Sequence, residues 1–299
     1  MEWRGQRESE NVEDRRGMPG QPMLIGGGLG TIAIVIIVAL LGGDPMAFLQ
    51  QLQNPQQQGQ PQGQQPGQQA GPPQPGLDEP DRLGQHDELK EFVAVVLADT
   101  EDVWDDVFRD MGRTYRKPKL VLYTGHTASG CGAADAAIGP FYCPVDETVY
   151  LDLGFFAELR DRFGAPGEFA QAYVIAHEVG HHVQKLLGTM QKVDSQRRRA
   201  SKTQSNHLSV RLELQADFLA GVWANRANRS KHIIEGGDVE AALRAAQAIG
   251  DDQLQRQARG FVVPDSFTHG SSAQRIHWFR RGMETGDLEQ GDTFSASDL

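Results

Sequence analysis

The feature that most constrains this chain is a pair of histidines four residues apart, His177 and His181. Apolar residues recur at helical intervals over residues 169–187, with Pro166 near the expected start and Gly188 just past the end. On a helix, residues four apart lie on the same face, so both imidazoles can bind one cation. The sequence therefore predicts a helix that presents a metal-binding pair.

Glu178 adds an acid–base group to this pair. It lies about 100° further round the helix, outside the ligand set but close enough to take a proton from a water beside the metal. This is the His-Glu-x-x-His pattern of zinc hydrolases. With nine histidines in 299 residues, a chance match is roughly a one-or-two-in-a-hundred event. Gly180 costs about 1 kcal/mol against alanine in mid-helix, which predicts that another backbone approaches there.

A third ligand is expected from residues 211–221, which also read as a helix. Glu213 and Asp217 are four residues apart there. Taken alone, such a pair is typical of a solvated acidic helix face. Beside the histidine pair, it favours Glu213 as the third ligand and Asp217 as the acceptor for the outer N–H of a ligand imidazole. His182 and His207 are the fallback ligands.

Three segments together resemble one bacterial family. His-Glu-Val-Gly-His-His at 177–182, Glu-Leu-Gln-Ala-Asp at 213–217 with Ala220 and Gly221, and Thr-His-Gly-Ser-Ser-Ala-Gln-Arg at 268–275 are similar to the bacterial neutral zinc metallopeptidases of the gluzincin group. The resemblance extends from about residue 89 to residue 282. It implies a zincin-like fold, one zinc ion per chain and hydrolysis of peptide bonds, and says little about the natural substrate.

His269, in the third of these segments, is a further catalytic candidate. Histidines in Gly/Ser-rich loops commonly face solvent or cap helices. Peptide hydrolysis, however, needs a second donor to the oxyanion beside the metal. We therefore expect His269, rather than His232 or His277, to supply it, and expect Arg275 to hold the loop by pairing with a carboxylate.

The expected fold class is α+β, a zincin-like domain with the site helix, a small antiparallel or mixed sheet and C-terminal helices, preceded by one transmembrane helix. Because a strand edge receives the substrate in zincins, Phe141, Tyr142 and Tyr150 are candidates for peptide docking, ordinary sheet core being the alternative. Tyr142 and Tyr150 are also the fallback oxyanion donors. Helices are predicted over residues 87–111, 169–187, 211–221, 239–249 and 272–281, and strands over 119–124 and 148–152.

The first part of the chain has the composition of a membrane anchor. Residues 1–22 are a polar tail, and residues 23–43 are uncharged and about 31 Å long as a helix, close to the roughly 30 Å hydrocarbon core. Arg15 and Arg16 before this run and Asp44 after it predict a cytoplasmic N-terminus and a periplasmic or extracellular domain. A cleaved signal peptide is the alternative.

The remaining boundaries follow from composition. Residues 44–86 form a Gln/Pro/Gly-rich flexible linker, residues 87–285 the metallopeptidase domain, and residues 286–299 an acidic, disordered tail. Gly26 and Gly30 have the small-x-x-x-small spacing that can join two membrane helices in a homodimer, although glycines are also tolerated at membrane helix ends. Cys131 and Cys143 are expected to form a disulfide outside the cytoplasm, free buried thiols being the alternative.

These observations predict a membrane-anchored zinc peptidase, an endopeptidase rather than an exopeptidase, that acts on a peptide or protein. A net charge of −11 and a pI near 5.3 give no indication of nucleic-acid binding. The alternative is a catalytically inactive, zinc-stabilised binding module displayed at the cell surface. Structural zinc sites are usually closed by four protein ligands, and only three are identifiable here.

Overall fold

A computed structural model of the chain describes residues 1–17 and 79–296, which form the α+β fold expected from the sequence. The strands are β1 (Val12–Asp14), β2 (Lys119–Tyr123), β3 (His126–Ser129), β4 (Gly132–Asp135), β5 (Phe141–Cys143) and β6 (Thr148–Asp152). The helices are α1 (Glu79–Asp110), α2 (Gly154–Asp161), α3 (Glu168–Leu187), α4 (Thr189–Arg197), α5 (Lys202–Lys231), α6 (Asp238–Ala248), α7 (Asp251–Arg259) and α8 (Ser272–Thr285).

The main sheet is small and mixed, as predicted. Its strand order is β1-β2-β6-β5, with β1, β2 and β6 parallel and β5 antiparallel to β6. Strand β6 is buried throughout and β2 is buried after its first residue, the pattern of central strands covered on both faces. This leaves β5 as an edge strand. The separate β3–β4 hairpin is tied to β5 by the Cys131–Cys143 disulfide.

Close helix contacts bring the metal-ligand candidates together. A Cβ on Gly180 of α3 would lie 3.0 Å from the backbone oxygen of Ala216 in α5. A Cβ on Gly282 of α8 would lie only 2.0 Å from the backbone oxygen of Phe218, also in α5. Glycine therefore allows α3 and α8 to approach α5 at backbone distance, and the approach expected at Gly180 is present.

Residues 1–17 belong to the same folded body as residues 79–296. Strand β1 pairs in parallel with β2, Val12 lying opposite Leu120, and Trp3 is only 2% exposed. The expectation of a separate tail over residues 1–22 therefore does not hold for residues 1–17. The two parts share one sheet and one core.

Two other boundaries also differ from the sequence analysis. Helix α1 begins at Glu79, inside the predicted linker. The predicted disordered tail is ordered up to residue 296: it contains a 3-10 turn, Leu288–Gly291, and the hydroxyl of buried Thr293 donates to the backbone oxygen of Arg211 at 2.7 Å. Pairing with the backbone of α5 holds this segment despite its polar composition.

The predicted membrane helix over residues 23–43, its Gly26 and Gly30 pair and most of the predicted linker lie outside the described residues. Among the helices at residues 79–296, none is long and apolar enough to cross a membrane.

Candidate metal centre

Helix α3 presents the two histidines as the sequence predicted. It ends at Gly188, which has a φ of +81° and donates its N–H to the carbonyls of Gln184 and Lys185. His177 and His181 are 7% and 8% exposed, and their ring centroids lie 4.9 Å apart. Both imidazoles therefore face the same small space.

Helix α5 brings the third candidate ligand to that space. Oε2 of Glu213 lies 3.2 Å from Nε2 of His177 and 3.4 Å from Nε2 of His181. One ligand atom from each of the three residues lies within 4.8 Å of the other two. Tetrahedral zinc with bonds of about 2.0–2.1 Å places its ligand atoms roughly 3.3 Å apart. The donor set and the two distances from Glu213 fit zinc.

The outer nitrogens of both imidazoles are fixed by hydrogen bonds. Nδ1 of His177 donates to Oδ1 of Asp217 at 2.8 Å, which is the contact expected from the sequence. Nδ1 of His181 donates to Oε1 of Gln184 at 2.9 Å. In the neutral form of both rings, Nε2 is then the nitrogen without a proton and is available to a metal.

Gln184 is the site residue that the sequence analysis missed. Its side chain is fully buried, and Nε2 donates to the backbone oxygen of Leu212 at 2.7 Å and to Oε1 of Gln215 at 3.2 Å. A carbonyl can only accept, so the amide group must point toward Leu212 and the amide oxygen toward His181. Its position three residues after His181, on the same helix face, was a usable signal.

Asp217 is the centre of a buried ion-pair network. Arg275 of α8 donates to it through Nε and Nη2, at 2.8 and 2.9 Å, and Tyr173 donates through its hydroxyl at 2.6 Å. Asp217 is fully buried and Arg275 is 3% exposed. The expected pairing of Arg275 with a carboxylate is present, and the carboxylate is the one that orients His177.

The field of the carboxylates favours positive charge at this site. Burial lowers the pKa of His177, but Asp217 and Glu213 outweigh it and raise that pKa to about 10. Burial raises the pKa of Glu213, yet the imidazoles of His181 and His177 hold it well below its usual value. Without a metal, the site therefore retains protons on its imidazoles, and a cation that binds there must displace them.

Glu178 is a buried acid–base group on the same helix as the two histidines. It is 8% exposed, and burial raises its pKa, while the neighbouring charges of His177 and His181 lower it. A carboxylate whose pKa moves toward neutrality is better matched to transferring protons at neutral pH.

The loop that carries His269 is organised by Asp251. Oδ2 of Asp251 accepts the backbone N–H groups of Thr268, His269 and Gly270 at 2.7, 2.6 and 3.1 Å. Its Oδ1 lies 3.2 Å from Nδ1 of His269. This contact leaves Nε2 of His269 as the ring nitrogen that can face a ligand.

His269 lies near the metal-ligand candidates. A Cβ on Gly270 would be 3.1 Å from the side chain of Leu214, the residue after Glu213, so the loop packs on α5 beside the third ligand. Burial lowers the pKa of His269, but Asp251 and the charge of Glu213 raise it above its ordinary value. The ring therefore tends toward its protonated, donating form.

The fallback ligands lie away from this space. His182 is fully buried and points to Tyr142, whose hydroxyl donates to its Nδ1 at 2.9 Å, and to the backbone oxygen of Arg116. Burial lowers its pKa to about 4. His207 is exposed on α5, with Asp265 3.9 Å away.

The strand candidates lie mainly in the sheet core. Tyr150 is 2% exposed, donates to Asp146 at 2.8 Å and stacks on Phe141 with centroids 5.0 Å apart. The hydroxyls of Tyr142 and Tyr150 thus have other partners, so neither is placed as an oxyanion donor. In the described sheet, β5 has no strand partner on its other edge.

The fold and the three converging side chains define a candidate metal centre of the His-Glu-x-x-His class. Over residues 1–294 the chain matches the family described as "Putative neutral zinc metallopeptidase", and it belongs to that family. This match begins at residue 1, earlier than the sequence analysis expected, in keeping with the folded N-terminus.

Relatives from two bacteria support this membership. The chain is 48% identical over 306 residues to the uncharacterized protein YpfJ of Escherichia coli (strain K12), covering 99% of this chain and 100% of that protein. It is 43% identical over 218 residues to the uncharacterized protein Rv2575 of Mycobacterium tuberculosis, covering 70% of this chain and 73% of that protein. No solved structure matches the chain.

Proposed function

We propose that this chain is a zincin-type endopeptidase that hydrolyses peptide bonds with one zinc ion held by His177, His181 and Glu213. The observation that carries the proposal is the convergence of Oε2 of Glu213 with Nε2 of both histidines, at 3.2 and 3.4 Å. When bound, zinc supplies Lewis-acid chemistry: it polarises the scissile carbonyl and makes water more acidic.

Glu178 moves the protons in this proposal. Its carboxylate takes a proton from the attacking water and later delivers it to the leaving amine. The raised pKa of the buried side chain supports both roles, because the group can be deprotonated before attack and protonated after it. Asp217 and Gln184 keep the two imidazoles in the orientation and tautomer that the ligand role requires.

His269 completes the proposed machinery as the oxyanion donor. Asp251 holds Nδ1 and the loop backbone, so Nε2–H is free to donate to the negative oxygen that develops on the substrate carbonyl. The charge of Glu213 raises the pKa of His269, which supports a position of this ring near the metal-ligand candidates.

An extended peptide is the proposed substrate form. Strand β5 pairs only with β6 in the described sheet, so its other edge can pair with a substrate strand. Tyr142 of β5 contacts His182 of α3, which places this edge beside the site helix. Strand pairing holds an internal segment rather than a chain end, which favours endopeptidase activity.

The domain is proposed to work outside the cytoplasm, since the Cys131–Cys143 disulfide suits an oxidising compartment. A comparison of thiol content in unreduced protein taken from its native compartment tests this point. Two free thiols per chain would contradict it.

The decisive experiment compares the full chain with Glu178→Gln and, as a matched control, Glu284→Gln, which changes an exposed carboxylate far along α8. We expect about one zinc per chain in all three proteins. Only the parent and Glu284→Gln should cleave an unbiased peptide library.

Two outcomes would count against the proposal. Equal inactivity of parent and Glu178→Gln at full zinc occupancy would favour the zinc-stabilised binding module. Loss of zinc in Glu178→Gln would place Glu178 in the ligand set instead of the acid–base role.

A further inference from the structure

Residues 1–17 lie in a groove whose walls are α1 and the edge of β2 that faces away from β6. We name this groove the N-terminal groove. The backbone oxygen of Asn11 accepts from Leu120 at 2.9 Å, and the N–H of Arg15 donates to Leu122 at 2.8 Å. The N–H of Ser9 donates to the backbone oxygen of Ala94 in α1 at 3.0 Å. The segment therefore satisfies backbone groups on both walls of the groove.

The groove contains a buried carboxylate that the segment neutralises. Glu101 is 1% exposed. Its oxygens accept from Ser9 Oγ at 2.5 Å, Asn11 Nδ2 at 2.7 Å and Arg7 Nη1 at 3.2 Å. Outside the segment its cationic partner is Lys117, at 3.4 Å. Burial of a carboxylate is costly unless it is paired and hydrogen-bonded, so Glu101 is suited to this occupant.

Apolar packing completes the groove. The Trp3 ring packs edge-to-face on Phe92 of α1 with centroids 5.4 Å apart. Phe92 in turn contacts Phe156 of α2. A large aromatic side chain anchored in this way contributes much of the apolar contact of a docked segment.

The two arginines that suggested a cytoplasmic flank are part of the fold. Arg15 pairs with Glu13 at 2.7 Å and also donates to the backbone oxygen of Ala128 in β3. Arg16 pairs with Asp14 at 2.5 Å. Their charges are therefore matched by carboxylates of β1 itself, which weakens them as a signal for membrane orientation.

We propose that the N-terminal groove is a docking site for residues 1–17 and that this segment and residues 79–296 lie in the same compartment. The chain between them must then begin and end on the same side of any membrane that it contacts. A single crossing by residues 23–43 would leave Glu101 in one compartment and its three donors in the other.

Topology labelling in cells tests the shared compartment. Full chains carry one added cysteine, at exposed Glu8 or at exposed Gln191 of α4, and the parent, whose own cysteines are bridged, is the blank. A membrane-impermeant maleimide is added to cells with an intact cytoplasmic membrane and to opened cells. Equal behaviour of Glu8→Cys and Gln191→Cys is expected. Labelling of one and protection of the other in intact cells would overturn the proposal.

Docking is tested on purified full chain with a specific protease site placed within residues 54–76. After cleavage, the fragment that contains residues 1–17 should co-elute with the domain. Glu101→Ala should increase the released fraction at least about 10-fold, and Glu8→Ala should not. If Glu101→Ala does not fold, Asn11→Ala should give a smaller release in the same direction. Complete release from the parent would overturn the docking.

Discussion

Replacing Gln184 with leucine tests whether this residue, absent from the sequence-based site, controls the second ligand. Leucine has a similar volume but no polar atoms. The Nδ1–H of His181 and the backbone oxygen of Leu212 would both lose the partner that now lies 2.9 and 2.7 Å away. Because Gln184 is fully buried, water cannot readily replace these contacts.

The expected effect has two parts. Each orphaned group costs about 1–3 kcal/mol, so the free energy of unfolding of the metal-free protein should fall by about 2–6 kcal/mol. Zinc affinity should fall by about 10–100-fold, because an unheld imidazole no longer presents Nε2 in a fixed direction.

Gln184→Glu separates the two parts. Its carboxylate can still accept from His181, but it faces the Leu212 oxygen without a proton to donate. We expect it to lose stability and retain most of the zinc affinity. Urea unfolding in chelator and competition with a zinc indicator measure the two quantities, with exposed Gln191→Leu as the control. If Gln184→Leu binds zinc as tightly as the control, the orienting role is refuted.

Three further predictions concern the proposed site. His269→Ala should keep zinc and fold but lower turnover by roughly 10²–10³, while exposed His277→Ala stays near the parent; equal rates in a peptide assay would remove the oxyanion role. Gly180→Val should destabilise the chain by about 1–3 kcal/mol in urea, since even a Cβ would lie 3.0 Å from the Ala216 oxygen. The pKa of His177 is raised to about 10 in the folded protein, so stability of the metal-free form should be full below pH ~6.5 and fall as pH rises toward 10. Thermal unfolding in chelator should show this loss, and a flat profile would contradict the assigned partners.

Local sequence patterns predicted the candidate site because the residues of each motif are close together in the sequence. The spacing of His177, Glu178 and His181 and the pair Glu213 and Asp217 each lie within one or two helical turns. Helical periodicity therefore gave the faces correctly. Periodicity could not identify the backbone that approaches Gly180. The cost of a glycine in mid-helix nevertheless indicated that some backbone approaches there.

The long-range parts of the site were harder to predict. Gln184 acts through a carbonyl 28 residues away, and Asp251 organises a loop 17 to 19 residues later. Glutamine and aspartate are common surface residues, so their types carry little information without the contacts that they make. Among the long-range contacts, the sequence predicted those of Asp217 with a ligand imidazole and of Arg275 with a carboxylate.

The N-terminal segment shows why a local signal can have two interpretations. Strand β1 has three residues, and its partner Leu120 lies 108 positions after Val12 (120 − 12). Such a pairing depends on loop closure over a long stretch and leaves almost no periodic pattern in three residues. As charges before an apolar run, Arg15 and Arg16 match the signal of a membrane flank. The same two residues also form ion pairs with Glu13 and Asp14. Burial of Trp3 and the hydrogen bonds at Glu101 hold residues 1–17 beside α1, and these contacts carry the proposal that both parts of the chain lie in one compartment.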